Sequence, residues 1–171
     1  MKHYIRTLSL FLFISFAFSQ TQLGSDIDGE AADDYSGGSV SMNSAGDRVA
    51  IGAMENDGTG DNAGHVRIYE YSSSSWTQLG SDIDGEAAGD YSGISVSMNL
   101  AGDRVAIGAT GNDGTGSSAG HVRIYEYSNS SWTQVGSDID GEAAGDGSGT
   151  SVSMDSAGDR VAIGATGNDG T

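Results

Sequence analysis

A 56-residue segment repeated in tandem constrains this chain more than any other feature. Its clearest copy runs from Thr77 to Trp132; Thr21 to Trp76 is a second that differs from it at 8 positions, and a third begins at Thr133 and reaches its 39th residue at Thr171. Repetition at such a period marks solenoids, propellers and arrays, whose units cannot bury a core singly and must cover one another's faces. The chain after its first 19 residues is therefore read as three equivalent units, 20–76, 77–132 and 133–171, the last of them cut short. On that reading the chain is a fragment of a longer array.

Within the unit, four short segments alternate apolar and polar residues with the period of a β-strand, bounded by Gly, Ser, Asn and Asp. Trp76 to Ile83 places Leu79 and Ile83 on one face, and Ile94 to Met98 alternates Ile94, Val96 and Met98 with serines. Arg104 to Ala109 sets Val105 and Ile107 against the small Ala106 and Gly108; His121 to Tyr127 sets Val122 and Ile124 against Arg123, Tyr125 and Tyr127. No helical stripe occurs after residue 19, and the strand pattern outweighs the disorder that so much Gly, Ser and Asp suggests. Two connections are hairpin-short: Asn99 to Asp103, with Gly102 expected at positive φ, and Ser128 to Ser131. Two others, Asp84 to Gly93 and Thr110 to Gly120, are long. Short hairpins require antiparallel neighbours, so each unit is expected to be a four-stranded meander with both long links at one end.

Such a sheet alone would leave two apolar faces and two open edges in water. Radial stacking covers the faces: Gly and Ala on the strands permit close approach, while one Trp and several Tyr per unit supply contact area. The expected fold is all-β, built of β-propeller blades in an incomplete propeller. A parallel β-helix is the alternative, but it has no place for two tight hairpins in every repeat. A seven-bladed ring of such units needs about 390 residues. Gln20 stands where Trp76 and Trp132 stand, so the chain is expected to open on an outer strand, Thr21 to Ile27, that completes the last blade of a ring.

The first 19 residues carry Lys2 and Arg6, then an apolar run from Leu8 to Phe18, then Ser19. That order is a secretory signal peptide, with cleavage expected after Ser19; the run of about 11 residues is short of the roughly 20 that span a membrane. The mature chain is expected to be secreted or displayed at the cell surface without a transmembrane segment. Seven basic residues less the two in the leader leave five against 24 acids, a formal charge of −19. Such a charge repels nucleic acid and anionic membranes. With no cysteine, an exported chain of this kind must be stabilised by repeat stacking, by ions or by both.

Three segments of the unit, read in order, resemble a known family. Tyr91-Ser92-Gly93-Ile94-Ser95-Val96, Val105-Ala106-Ile107-Gly108-Ala109 and Gly120-His121-Val122-Arg123-Ile124-Tyr125 are similar to the FG-GAP repeat of integrin alpha-chain propellers and their bacterial relatives. The resemblance covers nearly the whole mature chain and implies a propeller that binds extracellular ligands. The chain departs from the pattern in three places. Tyr35 and Tyr91 replace the family's Phe and Gly147 drops the aromatic; Met54, Thr110 and Thr166 replace its Pro; and the Asn99 to Asp103 link is too short for the Asp-rich calcium loop that integrin blades often carry there.

Asp82, Asp84, Glu86 and Asp90 form the richest cluster, repeated as Asp26, Asp28, Glu30 and Asp34 and as Asp138, Asp140, Glu142 and Asp146. Carboxylates around a glycine turn can supply the 6 to 8 oxygens that calcium takes, although the spacing fits no EF-hand loop. The reading preferred is a solvated acidic connection turned at Gly85, with these four residues kept as candidate ligands for calcium. Asn112-Asp113-Gly114-Thr115-Gly116 is read as a turn, because the nine-residue period of calcium-binding Gly-Asp repeats is absent. His65 and His121 recur at one place with the same neighbours, Arg67 and Arg123, and are read as structural hydrogen-bonding groups. Arg67 and Arg123 are expected to meet acids of adjacent blades, as in Arg123 with Glu126 or Asp103. No nucleophile elbow and no singular carboxylate pair stands out, so no catalytic residue and no enzyme activity is assigned. Differences between copies gather at Gly38, Ile94 and Thr150, at Met54-Glu55, Thr110-Gly111 and Thr166-Gly167, and at Asp61-Asn62 against Ser117-Ser118; drift in exposed links accounts for them. The expected function is an exported, non-enzymatic FG-GAP-type module for binding an extracellular protein or glycan, or for adhesion. The alternative is a spacer array displaying a further domain, such as a hydrolase, beyond residue 171.

Overall fold

Period-2 alternation between glycine-bearing turns gives antiparallel hairpins throughout. The computed structural model describes residues 21–170, so the leader expected over residues 1–19 lies outside the described residues. The first sheet contains β1 (Ser36–Met42), β2 (Arg48–Ala53), β3 (His65–Ser72), β4 (Ser75–Gln78) and β5 (Ile83–Asp84). The second repeats it as β6 (Ser95–Met98), β7 (Arg104–Ala109), β8 (His121–Ser128), β9 (Ser131–Gln134) and β10 (Ile139–Asp140); a third holds β11 (Ser148–Met154) and β12 (Val161–Ala165). All strand pairs are antiparallel and each sheet is a meander. No helix occurs among the described residues, so none there is long and apolar enough to cross a membrane.

The hairpins between the first and second strands of the sheets are pinned by one side chain. Asn99 Oδ1 accepts from the N–H groups of Asp103 and Arg104, its Nδ2 donates to Asp103 Oδ1 at 2.7 Å, and Gly102 turns at φ +75°. Asn43 repeats these contacts with Asp47 and Arg48. The outermost strand departs from the reading of one continuous strand from Trp76 to Ile83. Gly80, at φ +82°, breaks it, and β4 and β5 pair separately with opposite ends of β3. The sheets are thus out of phase with the sequence unit: the boundary at Trp76 and Thr77 falls inside β4, which closes the sheet begun by β1.

Consecutive sheets pack face to face, and their two faces differ. Residues directly opposite across a ladder share a face. In the first sheet Ser39, Gly52 and Val66 align, as do Ser41, Ala50 and Ile68. These small residues meet the bulkier face of the second sheet, where Val96 aligns with Ile107 and Arg123, and Met98 with Val105 and Tyr125. Ala50, Val66, Ile68, Ile83, Val96, Met98, Val105 and Ile107 form the resulting core, with Leu79, Tyr125 and Trp132 at its border. Near the first strands the sheets touch through backbone: Ser39 Oγ donates to Gly93 O at 2.6 Å, and a Cβ on Gly52 would fall 2.9 Å from the Gly93 carbonyl carbon. Ser41 Oγ accepts from Met98 N–H across the same junction. Near the last strands a whole indole intervenes: Trp132 Nε1 donates to Leu79 O at 2.7 Å. Small side chains at the first strands and a Trp at the last ones make the junction of the first two sheets a wedge.

Among the described residues no sheet precedes the first, and its bulky face is open. Val40 and Met42 are 62% and 54% exposed, whereas their counterparts Val96 and Met98 are 9% and 7% exposed. The segment before β1 nevertheless packs on the first sheet as residues 77–90 pack on the second. Trp76 Nε1 donates to Leu23 O and Arg67 donates to Asp28 O, matching Trp132 to Leu79 O and Arg123 to Asp84 O.

Candidate functional site

The two long links do lie at one end, and they are bonded to each other. Gly85, Gly89, Tyr91 and Ser92 donate backbone N–H groups to Gly64, Asp61, Asn62 and Ala63, and Thr59 Oγ1 donates to Gly85 O. The next junction repeats this set between residues 141–148 and 117–120. The segment from Asn112 is a turn, as read: Asn112 Oδ1 accepts from Gly114 N–H and Asp113 Oδ1 from Ser118 N–H. The end surface so formed carries the exposed acids Glu30, Asp57, Asp61, Glu86 and Asp113.

The four candidate calcium ligands do not converge. Asp90 is buried, and its Oδ2 accepts from the N–H groups of Glu86 and Ala87 and from Asn112 Nδ2, which ties one long link to the other. Asp34 and Asp146 make corresponding contacts with Ala31 and Asn56 and with Ala143 and Asn168. Asp84 is exposed in β5, and its backbone carbonyl takes Arg123. Asp82 and Glu86 belong to different junctions: Asp82 faces His65, and Glu86 faces His121.

Those histidines do not fit the hydrogen-bonding role expected of them. Both are 1% exposed, yet His65 Nε2 and both ring nitrogens of His121 have no hydrogen-bond partner among the described residues. His121 Nδ1 lies 4.0 Å from Glu86 Oε2 and 3.8 Å from Asp138 Oδ2. His65 Nδ1 lies 3.8 Å from Glu30 Oε2 and 3.9 Å from Asp82 Oδ2. In each case the Glu comes from the link entering a sheet, the His opens that sheet's third strand, and the Asp lies between the two halves of its outer strand. Burial, aided by the neighbouring Arg123 guanidinium, lowers the His121 pKa against the opposing pull of Asp138 and Glu86, so the buried ring is held towards its neutral form.

Arg123 pairs with neither Glu126 nor Asp103. On β8 residues 123 and 126 point to opposite faces, and Glu126 lies directly across the ladder from Arg104, whose NH2 it binds at 2.8 Å. Arg123 instead sits 3.4 Å from Glu86 Oε1 and donates to Asp84 O, so it belongs to the junction with the preceding sheet. Arg67 stands the same way, 3.6 Å from Glu30 Oε1. Each junction thus places an imidazole, two carboxylates and a guanidinium together.

A groove of about 270 Å³ lies between the second and third sheets, lined by Ile124, Val135, Ile139, Met154 and Arg160. It is the outer half of a junction whose third sheet has only two described strands, and its lining is the face that Trp132 and Leu79 cover one junction earlier.

The class that the fold defines is an all-β tandem-repeat protein of stacked antiparallel meanders. No known protein family matches the chain, and no curated protein is found as a relative.

Proposed function

We propose that this chain is part of an exported β-propeller of the FG-GAP type that acts without catalysis, as a module for binding an extracellular protein or glycan. The wedge between the first two sheets supports the propeller reading. Sheets that touch through backbone at their first strands and through an indole at their last fan outward from a common axis, as blades do. The packing of residues 21–34 in the place of a preceding sheet's outer strand fits a ring whose last blade is completed by the chain start. The gathering of both long links at one end supports the binding reading, because propeller ligands would meet the acidic surface there. Glu30, Asp57, Asp61, Glu86 and Asp113 give that surface its charge.

The test is retention of the purified chain on immobilised extracellular glycans and matrix proteins, with an Asp57→Asn, Asp61→Asn, Asp113→Asn variant alongside. Saturable retention by some member of the panel, weakened in the variant, is expected. Retention of neither protein by any member overturns the binding reading and favours the display array.

A further inference from the structure

We propose that the junction of the first two sheets holds one divalent transition-metal ion on His121 Nδ1, Glu86 and Asp138, and that the junction of residues 21–34 with the first sheet holds another on His65 Nδ1, Glu30 and Asp82. The inference does not depend on the proposed function, since it concerns what holds neighbouring sheets together. Two independent observations carry it. The donor atoms of each set lie within 4.8 Å of one another, and the same set recurs one period along the chain. Separately, each set is completed by a histidine that is 1% exposed, and the His121 Nδ1 aimed at its two carboxylates has no hydrogen-bond partner among the described residues. A buried imidazole normally finds a partner.

The dimensions suit an ion. Ligand bonds of roughly 2.0–2.2 Å to imidazole nitrogen and carboxylate oxygen let an ion bridge donors up to about 4.3 Å apart. The Nδ1 to oxygen separations are 3.8 to 4.0 Å, too long for hydrogen bonds and within that reach. Glu86 and Asp138 keep side-chain exposures of 45% and 32%, so an ion can enter from solvent and the carboxylates can turn to close on it. Arg123 holds Glu86 by Oε1 and leaves Oε2 towards the histidine; Arg67 does the same for Glu30. An imidazole with two carboxylates is a donor set for zinc or a similar ion, while calcium prefers an all-oxygen shell of 6 to 8 ligands. Because Glu86 enters from the preceding sheet and His121 and Asp138 belong to the next, a bound ion cross-links two sheets.

The experiment is calorimetric titration of the metal-stripped chain with Zn²⁺ in millimolar Mg²⁺, which occupies weak surface carboxylates, followed by thermal melting. Two Zn²⁺ per chain and a raised midpoint are expected, with no matching shift from Ca²⁺. H121Q should leave one site, and H65Q combined with H121Q should leave none, although His3 remains. Should the histidine variants fail to fold, D138N replaces them: its partly exposed carboxylate can be neutralised without opening the core, and it should weaken one site at least tenfold. Co²⁺ absorption bands that diminish in D138N would place the ion on these ligands. No binding of Zn²⁺ by the folded chain, an equal response to Ca²⁺, or affinities unchanged at both sites in D138N overturns the proposal.

Discussion

Substituting Gly52 by Ala tests the closeness of the sheets directly. Gly52 lies in β2 in an ordinary extended conformation, so its lack of a side chain matters only for space. An added Cβ would lie 2.9 Å from the Gly93 carbonyl carbon and nearer still to its oxygen, against the 3.4 Å of ordinary contact. The sheets would have to part by about 0.5 Å on the carbon alone, and by more on the oxygen, stretching the Ser39 to Gly93 hydrogen bond that spans the gap. Overpacking of this kind costs about 1–3 kcal/mol, and the lost hydrogen bond about 1 kcal/mol more. The stiffer unfolded chain returns about 0.4–1 kcal/mol. The net expectation is a loss of about 2.5 kcal/mol, read as a urea midpoint lowered by roughly 1 M for a chain of this size. Fluorescence of Trp76 and Trp132 reports the transition. Gly164→Ala is the internal control: it stands at the equivalent place in β12, but an added Cβ there meets only Ser151, whose hydroxyl can rotate away. Its midpoint should stay within about 0.5 kcal/mol of the parent. If Gly52→Ala matched Gly164→Ala, or raised the midpoint, the backbone-to-backbone junction would be refuted.

Three further outcomes are expected. Trp132→Phe removes the Nε1 to Leu79 O bond and part of the outer spacer, and should cost about 1–2 kcal/mol in the same urea experiment. Asp33 sits at φ +68° where the later copies have Gly89 and Gly145, and a side chain at Gly89 would touch nothing within 4 Å, so Asp33→Gly should raise stability by about 0.5 kcal/mol in thermal melting. Desolvation pushes the Asp155 carboxyl up, but the N–H groups of Arg160, Asp159 and Gly158 outweigh it and hold its pKa below the usual value. A folded-state pKa below the unfolded one gives stability that is present above the ordinary carboxylate value of 3.8 and lost as pH falls through the folded value. Asp155→Asn, which matches Asn43 and Asn99, should therefore lose less stability than the parent between pH 4 and about pH 2, followed by circular dichroism.

The strands, both short hairpins, the turn at Asn112 and the gathering of the long links were legible because each depends on residues close in sequence. Gly102 at positive φ is the plainest case. The junction chemistry was not legible, because it depends on how one unit lies on the next. Glu86, His121 and Asp138 are separated by whole strands, and nothing in their spacing announces that stacking brings them together. The recurrence of His65 and His121 is visible in the sequence and fits a structural role equally well; the signal that points to the site is that an acid recurs in step with each. Arg123 does meet an acid across the junction, but it is Glu86 and not Glu126 or Asp103, because near neighbours on a strand can point to opposite faces. Tyr35 and Tyr91 hold φ near +55°, and the one hint of this was the glycine at the matching position, Gly147, itself at φ +60°.

The directional junction has a consequence for how such a gene can change. The contact from Ser39 to Gly93 recurs one period later from Ser95 to Gly149, and that from Ser41 to Met98 recurs from Ser97 to Met154. Unequal crossing-over between near-identical copies adds or deletes whole periods and leaves the new neighbours chemically indistinguishable from the old. The number of stacked sheets is then free to vary among descendants without any interface having to be reinvented.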